Sequence, residues 1–467
     1  MIVPTAATRR QSVVVVVLAL FAVTVSSSLR ADSPPPWLEP YREPAARLIG
    51  EALSDTFAWR RLAVLTDSVG NRLSGTPQLD RAIQWAVAEM KNDGLENVHT
   101  EKAMVPRWVR GAESAEIVQP ARHAMAMLGL GDSVATPPDG IQAEILVVHT
   151  FEELDAAAAQ VRGRIVVFNV PYTNYGEKVR FRASGPSRAA AHGAVGMLIR
   201  SVGLAGLRLP HTGALQYTAE AAKIPAAAIA SEDADRLQRM VDRGDRVTVN
   251  LKMTAHFEPD VESANVVGEI RGREKPDEVV VIGGHLDSWD VGAGATDDGG
   301  GCVVTWEALR IMKKLNLRPR RTVRVVLWTN EENGGRGGQA YRDAHRDTLA
   351  NHILMMESDS GVFRPLGFGF TGSASARQTV KTIGSLLRGI AADQIGDTGE
   401  GADIAPSVAE GKIPAMSLEV DGSKYFLIHH TQADTIDKID PVEMAKCAAA
   451  IAVLAYVVAD LPQRLGQ

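Results

Sequence analysis

The chain has 467 residues, 45% hydrophobic and 23% charged, the balance of a soluble globular protein of two to three domains. Its formal net charge is -6 and it offers no basic stripe to neutralise phosphates, which argues against a nucleic-acid partner. Cys302 and Cys447 are too few for an exported disulfide scaffold; they read first as two buried thiols, with a single bridge between them left open.

Residues 1–31 carry the pattern of a secretory signal peptide: Arg9 and Arg10, the apolar run Val13–Val23, then small residues up to Ala31. The apolar part is too short to span a membrane comfortably, although an N-terminal anchor helix is the competing reading. The predicted location is therefore secreted or periplasmic. Loss of Arg9, Arg10 and Arg30 with this segment takes the charge from -6 to -9. "DSPPPWLEP" (Asp32–Pro40) is an extended leader, and "YREPAARLIGEAL" and "PQLDRAIQWAVAEMKNDGL" are helical. In the second, Leu79, Ile83, Ala86 and Met90 share one face and Gly94 ends the helix. Residues 32–124 form the first part of a main domain.

From about Met125 to Phe257, alanine and glycine become dense. Short β runs such as "AEILVVHT" and "GRIVVFNV" alternate with helical stretches, which predicts a smaller α/β unit inserted over 125–257. Its histidines, His149, His192, His211 and His256, do not fall into metal-ligand spacing, so it reads as a cover over the main site, with a tethered module that has no effect on catalysis as the alternative. Residues 258–467 resume the main domain. "SANVVGEI", "EVVVIGG", "TVRVVLWT" and "HILMMES" are strands followed by loops and helices, the pattern of an α/β fold with a mostly parallel sheet flanked by helices. The last helix, "PVEMAKCAAAIAVLAYVVADL", is apolar, but Lys446 and Asp460 argue against a membrane span.

In such sheets ligands bind beyond the carboxyl ends of the strands. "GGHLDSWDVGAGATDDGGG" puts His285 and Asp287 just past "VVVI", with Asp297 and Asp298 close behind. Glu331 and Glu332 follow "VVLW", Glu357 and Asp359 follow "ILMM", and His429 and His430 follow "FLI". Alone, Asp297-Asp298 before a helix reads as N-capping. Four strand ends delivering carboxylate and imidazole to one sheet edge require a cation, and the mixed donor set suits Zn²⁺.

These motifs, in the order His-x-Asp, Asp-Asp-Gly, Glu-Glu, Asp and His before "TQADT", resemble peptidase family M28, the two-zinc metallopeptidases. The insert resembles a protease-associated (PA) domain through "VRGRIVVFNV", "AAAHGAVGMLI" and "KIPAAAIA". The resemblance implies two Zn²⁺ per chain. It places His285 and Asp359 on one ion, Glu332 and His430 on the other, and Asp297 as the bridge, on a cis peptide to Asp298. Glu331 would be the general base. Asp287 would accept from the ring N–H of His285, and Tyr425 is a candidate oxyanion donor with a core tyrosine as its equal alternative. Trp289 and Asp290 are candidates for the pocket wall. Ile404 stands where many members carry histidine, so specificity is not carried over from that loop.

The implied activity is an exopeptidase acting on short peptides, foremost unblocked dipeptides. An aminopeptidase acting on longer peptides is the nearest alternative, and a catalytically silent binding protein is the alternative from another class. The intact ligand set and Glu331 argue against the last. The composition is compatible with a homodimer.

Overall fold

Alternation along the strand Lys275–His285 explains its apolar run. Val280 and Ile282 enter one buried cluster, and Val279 and Val281 enter another on the opposite face. A strand covered on both faces needs apolar side chains at every position. The computed structural model describes residues 35–466, so the predicted signal peptide lies outside the described residues.

Lys275–His285 sits inside an eight-stranded sheet. Its four central strands, Arg321–Trp328, Lys275–His285, His352–Glu357 and Ala415–Val420, are parallel. Glu96–Val109 and His256–Ile270 extend it antiparallel on one side. On the other side Pro365–Thr371 runs antiparallel to Ala415–Val420 and carries the short strand Gln394–Gly396. One face is covered by the helices Arg42–Ala52, Phe57–Ser68, Pro77–Asn92, Gly300–Lys314 and Pro441–Asp460, and the other by Arg336–His345 and Ala405–Gly411. The α/β reading holds.

Helix Pro77–Asn92 begins at Thr76, whose hydroxyl accepts from the Leu79 amide, and buries Leu79, Ile83, Ala86 and Met90 as their spacing predicts. Pro441–Asp460 is long and apolar enough to cross a membrane, with mean hydropathy 1.9. Its residues from Cys447 to Asp460 are all buried within the domain, against Gly300–Lys314 and Arg42–Ala52. Cys302 and Cys447 are buried free thiols.

A second eight-stranded sheet has its own apolar clusters, around Phe151, Phe168 and Phe181 on one side and Leu198, Val249 and Leu251 on the other. It begins earlier than composition suggests. Glu113–Gln119 pairs with Thr248–Met253 and His123–Met125, so the boundary expected at Met125 falls inside the unit. Pairing, not alanine content, sets the limit, and "ESAEIVQ" carries no compositional mark of its new partner. The chain leaves and re-enters between adjacent strands. Val109 faces His256 at the last rung, and the amide of Thr254 donates to the carbonyl of Ala112 at 3.0 Å.

Candidate metal centre

Three groups arrive from neighbouring parallel strands. His285 ends one strand, Asp359 lies two residues past His352–Glu357, and Glu331 and Glu332 follow Arg321–Trp328. The fourth differs from the sequence reading. "YFLI" is a short helix, Tyr425–Ile428, and His430 adopts φ 59°. Phe426 is taken up in packing against Tyr172 and Tyr175 of the insert rather than in a sheet. Glu331 and Glu332 also lie in a turn, entered through Asn330 at φ 63°, so the turn and not strand alternation separates their carboxylates.

The donor atoms converge. Nε2 of His285 lies 3.3 Å from Oδ1 of Asp297 and 3.4 Å from Oδ1 of Asp359. The other oxygen of Asp297 is 3.1 Å from Nε2 of His430, which is itself 3.1 Å from Oε2 of Glu332. Asp297 thus stands between two groups, and a cis peptide joins it to Asp298. His429 stacks on His430 at 3.6 Å between ring centroids and comes within 3.4 Å of Asp297. It touches one carboxylate of the set, whereas His430 is wedged between two, which favours His430 as the ligand.

Glycine lets the backbone close around these groups. A Cβ on Gly284 would lie 2.2 Å from the Asp298 carboxylate, and one on Gly301 would lie 1.8 Å from the carbonyl of Ser358. Asp298 uses that space: its carboxylate accepts from the amides of His285 at 3.1 Å and Gly301 at 3.0 Å.

Asp287 departs from its expected role. The ring Nδ1–H of His285 donates to the backbone carbonyl of Asp287 at 3.0 Å, while the carboxylate is 3.9 Å away. That carboxylate turns to the next strand end and accepts from the amides of Glu331 at 3.1 Å and Glu332 at 3.3 Å, and from the Ser74 hydroxyl at 3.3 Å. It therefore holds the glutamate turn. Two further residues were not singled out from sequence. Asp434, the acid of "TQADT", accepts from the amides of Thr296 at 2.7 Å and Asp297 at 3.1 Å. Arg72 is fully buried and donates to the carbonyls of Leu286, Ala293 and Gly294, bolting down the loop after His285. Only the motif around Asp434 held a signal; a lone arginine in a glycine-punctuated loop held none.

Of the two wall candidates, Trp289 borders a small cavity with Asp297, Glu332 and His430. Asp290 instead pairs with Arg110 at 2.6 Å, beside the insert.

Residues 265–455 match the profile of peptidase family M28. Carboxypeptidase Q of Bos taurus is 49% identical over 408 residues, covering 87% of this chain and 86% of the relative. Carboxypeptidase Q of Homo sapiens is 47% identical over the same shares. The chain belongs to peptidase family M28. The crystal structure of a peptidase M28 precursor from Shewanella amazonensis SB2B, 34% identical, superposes with a TM-score of 0.89 over 91% of this chain and 98% of that one. A zinc aminopeptidase from Bacillus subtilis, 19% identical, shares the fold with a TM-score of 0.66 over 88% of this chain and 96% of its own.

As an M28 member the protein is a metallopeptidase, and its donor set fits metal. His285 Nε2, Asp297 Oδ2, Glu332 Oε1 and Asp359 Oδ1 are buried without a hydrogen-bond partner, although each lies near other donors. Such atoms are costly unless a further ligand satisfies them. Electrostatics points the same way. Burial alone would lower the pKa of His285, but Asp297 and Asp359 outweigh it and raise it well above the imidazole range. Burial, reinforced by Asp297, lifts Glu332 to about 7 against the pull of His430. Burial together with Asp359 and Glu332 raises Glu331 as well. Cations at the convergence point would relieve this crowding, and mixed imidazole–carboxylate coordination is characteristic of zinc.

Proposed function

We propose that this M28 peptidase is an exported two-zinc exopeptidase that hydrolyses short unblocked peptides, dipeptides foremost. The observation that carries the reading is the convergence of His285, Asp297, Asp359, Glu332 and His430 on one buried space with Glu331 beside it. In this reading His285 and Asp359 would hold one ion and Glu332 and His430 the other, with Asp297 between them as a shared ligand. Bound zinc lowers the pKa of a water and polarises the scissile carbonyl.

The chain supplies the rest. Glu331, its amide held by Asp287, takes the proton of the attacking water and delivers it to the leaving amine. Tyr425 is buried, and desolvation together with Asp297 and Asp359 raises its pKa far above the phenol range. It stays protonated, and in this reading it donates to the developing oxyanion. A cleft of about 500 Å³, lined by Asp359, Ser360, Gly401 and Ser417, reaches the proposed ligand Asp359 and has room for a short peptide.

The insert, with its PA-like motifs, touches the segment that carries the histidine pair: the amide of Leu204 donates to the carbonyl of Phe426 at 2.8 Å. In this reading the insert covers the site and restricts it to short substrates. The pattern of residues 1–31 supports export.

The test compares hydrolysis of a dipeptide, its carboxyl-amidated form and its amino-acetylated form. The proposal expects cleavage of the free dipeptide and poor cleavage of both blocked forms. Equal cleavage of the amidated form, with longer peptides trimmed from the amino end, would establish an aminopeptidase instead. No hydrolysis by zinc-loaded protein would establish a silent binding protein.

A further inference from the structure

Each ligand histidine has a second ring nitrogen, and the two are satisfied from different places. His285 Nδ1–H donates to the carbonyl of Asp287, two residues along its own loop. His430 Nδ1–H donates to the carbonyl of Thr212 at 3.3 Å, in the insert. The contact is reciprocal, since the amide of Thr212 donates to the carbonyl of His430 at 3.0 Å.

The segment bearing Thr212 is held by one buried arginine. Arg182 is 6% exposed and forms no ion pair among the described residues. Its guanidinium donates to the carbonyls of Thr212 at 3.3 Å and Ala214 at 3.2 Å, and to the hydroxyl of Tyr175 at 2.8 Å. Gly213 makes room, since a Cβ there would lie 2.2 Å from Arg182 Nη1. Tyr175 in turn meets His429 edge-on at 5.1 Å. The Thr212 hydroxyl donates to the carbonyl of Gly129 at 2.7 Å and receives Arg110, whose guanidinium also pairs with Asp290 of the peptidase loop. A buried guanidinium without a carboxylate is costly, and here two of its three partners, Thr212 and Tyr175, are the residues that meet His430 and His429.

We propose that Arg182 and Thr212 are positioning residues for His430, so that the insert completes the metal centre in addition to covering it. This rests on the zinc reading above. An acceptor on Nδ1–H fixes the tautomer, leaves the lone pair of Nε2 toward Asp297 and Glu332, and raises the basicity of the ring. Loss of such a partner typically lowers metal affinity about 10–100-fold.

The experiment uses the full chain and measures both zinc affinities by chelator competition, together with kcat and KM for a free dipeptide. Arg182→Leu is expected to weaken one zinc by about 10–100-fold and leave the other within about threefold. Excess zinc should restore much of kcat with little change in KM. Thr212→Val, which removes only the hydroxyl anchoring that segment, should weaken the same ion by less, and it replaces Arg182→Leu if that variant fails to fold. Arg200→Leu is the control: it cuts an insert arginine bonded to Asn169 and Asp235, away from His430, and should leave both affinities unchanged.

Unchanged zinc affinity in folded Arg182→Leu or Thr212→Val would overturn the proposal. So would equal weakening by Arg200→Leu, which would trace the effect to general loosening of the insert. His430→Ala reports on the underlying reading separately: if it keeps both zinc ions at native affinity, His430 is not a ligand and the assignment of the centre fails.

Discussion

The two sheets serve one site in opposite ways. The peptidase domain supplies every proposed metal ligand, and three strands of its sheet lead to the donors His285, Glu332 and Asp359, whose placement follows from strand pairing. The insert supplies no ligand. It contributes backbone groups, the carbonyl and amide of Thr212, against a histidine that rests on a four-residue helix and a left-handed backbone. A donor delivered by a strand end is positioned by its own domain, whereas one on a short irregular segment borrows its support. His285 and His430 are chemically the same group held by these two means.

Four substitutions probe that contrast. Asp297→Ala removes the carboxylate between both halves of the centre. Metal analysis should find fewer than two zinc ions per chain, and activity should fall below detection. Two tightly bound ions would show that the bridge is misplaced. Glu331→Gln deletes the proposed base and no ligand, so zinc content and folding should be retained while kcat falls about 10²–10⁴-fold. Near-normal turnover would end the proposed mechanism.

Gly131→Leu acts at the seam. A Cβ at Gly131 would lie 1.9 Å from the Trp289 ring, so a larger side chain forces insert and peptidase loop apart. The preference for a dipeptide over a ten-residue peptide should collapse, and one zinc should weaken by about tenfold if the insert supports His430. An unchanged preference would mean that the insert has no part in selecting substrate. From sequence the insert reads as a cover whose removal would leave both ions bound; if the Thr212 carbonyl supports His430 as proposed, its removal would also weaken one ion. Asp290→Asn weakens the largely buried pair with Arg110 across the same seam. It should cost about 1 kcal/mol of unfolding free energy in a denaturant titration, with both zinc ions retained.

Much of the centre was legible because it lies where chain-local rules operate. A run such as "VVVI" announces a strand buried on both faces, and polar groups just past it fall at the sheet edge where ligands bind. His285, Asp359 and the two glutamates could be placed that way. Asp287 was found, yet its function was misread, because sequence shows a carboxylate two residues from an imidazole and not which of its oxygens faces the ring. The helix Tyr425–Ile428 was read as a strand because an apolar run this short fits either form until a packing partner appears. Here the partners are Tyr172 and Tyr175 of the insert.

By itself, then, the sequence determined the α/β class, the donor types and the strand ends that carry them, since all three follow from periodicity and from side-chain chemistry within short stretches. Only the tertiary structure decided that the insert begins at Glu113, that Arg72 clamps the loop after His285, and that His430 leans on a residue 218 positions away. Those contacts are made largely to backbone carbonyls and amides. Every residue but proline carries both groups, so no side-chain pattern marks which of them will meet.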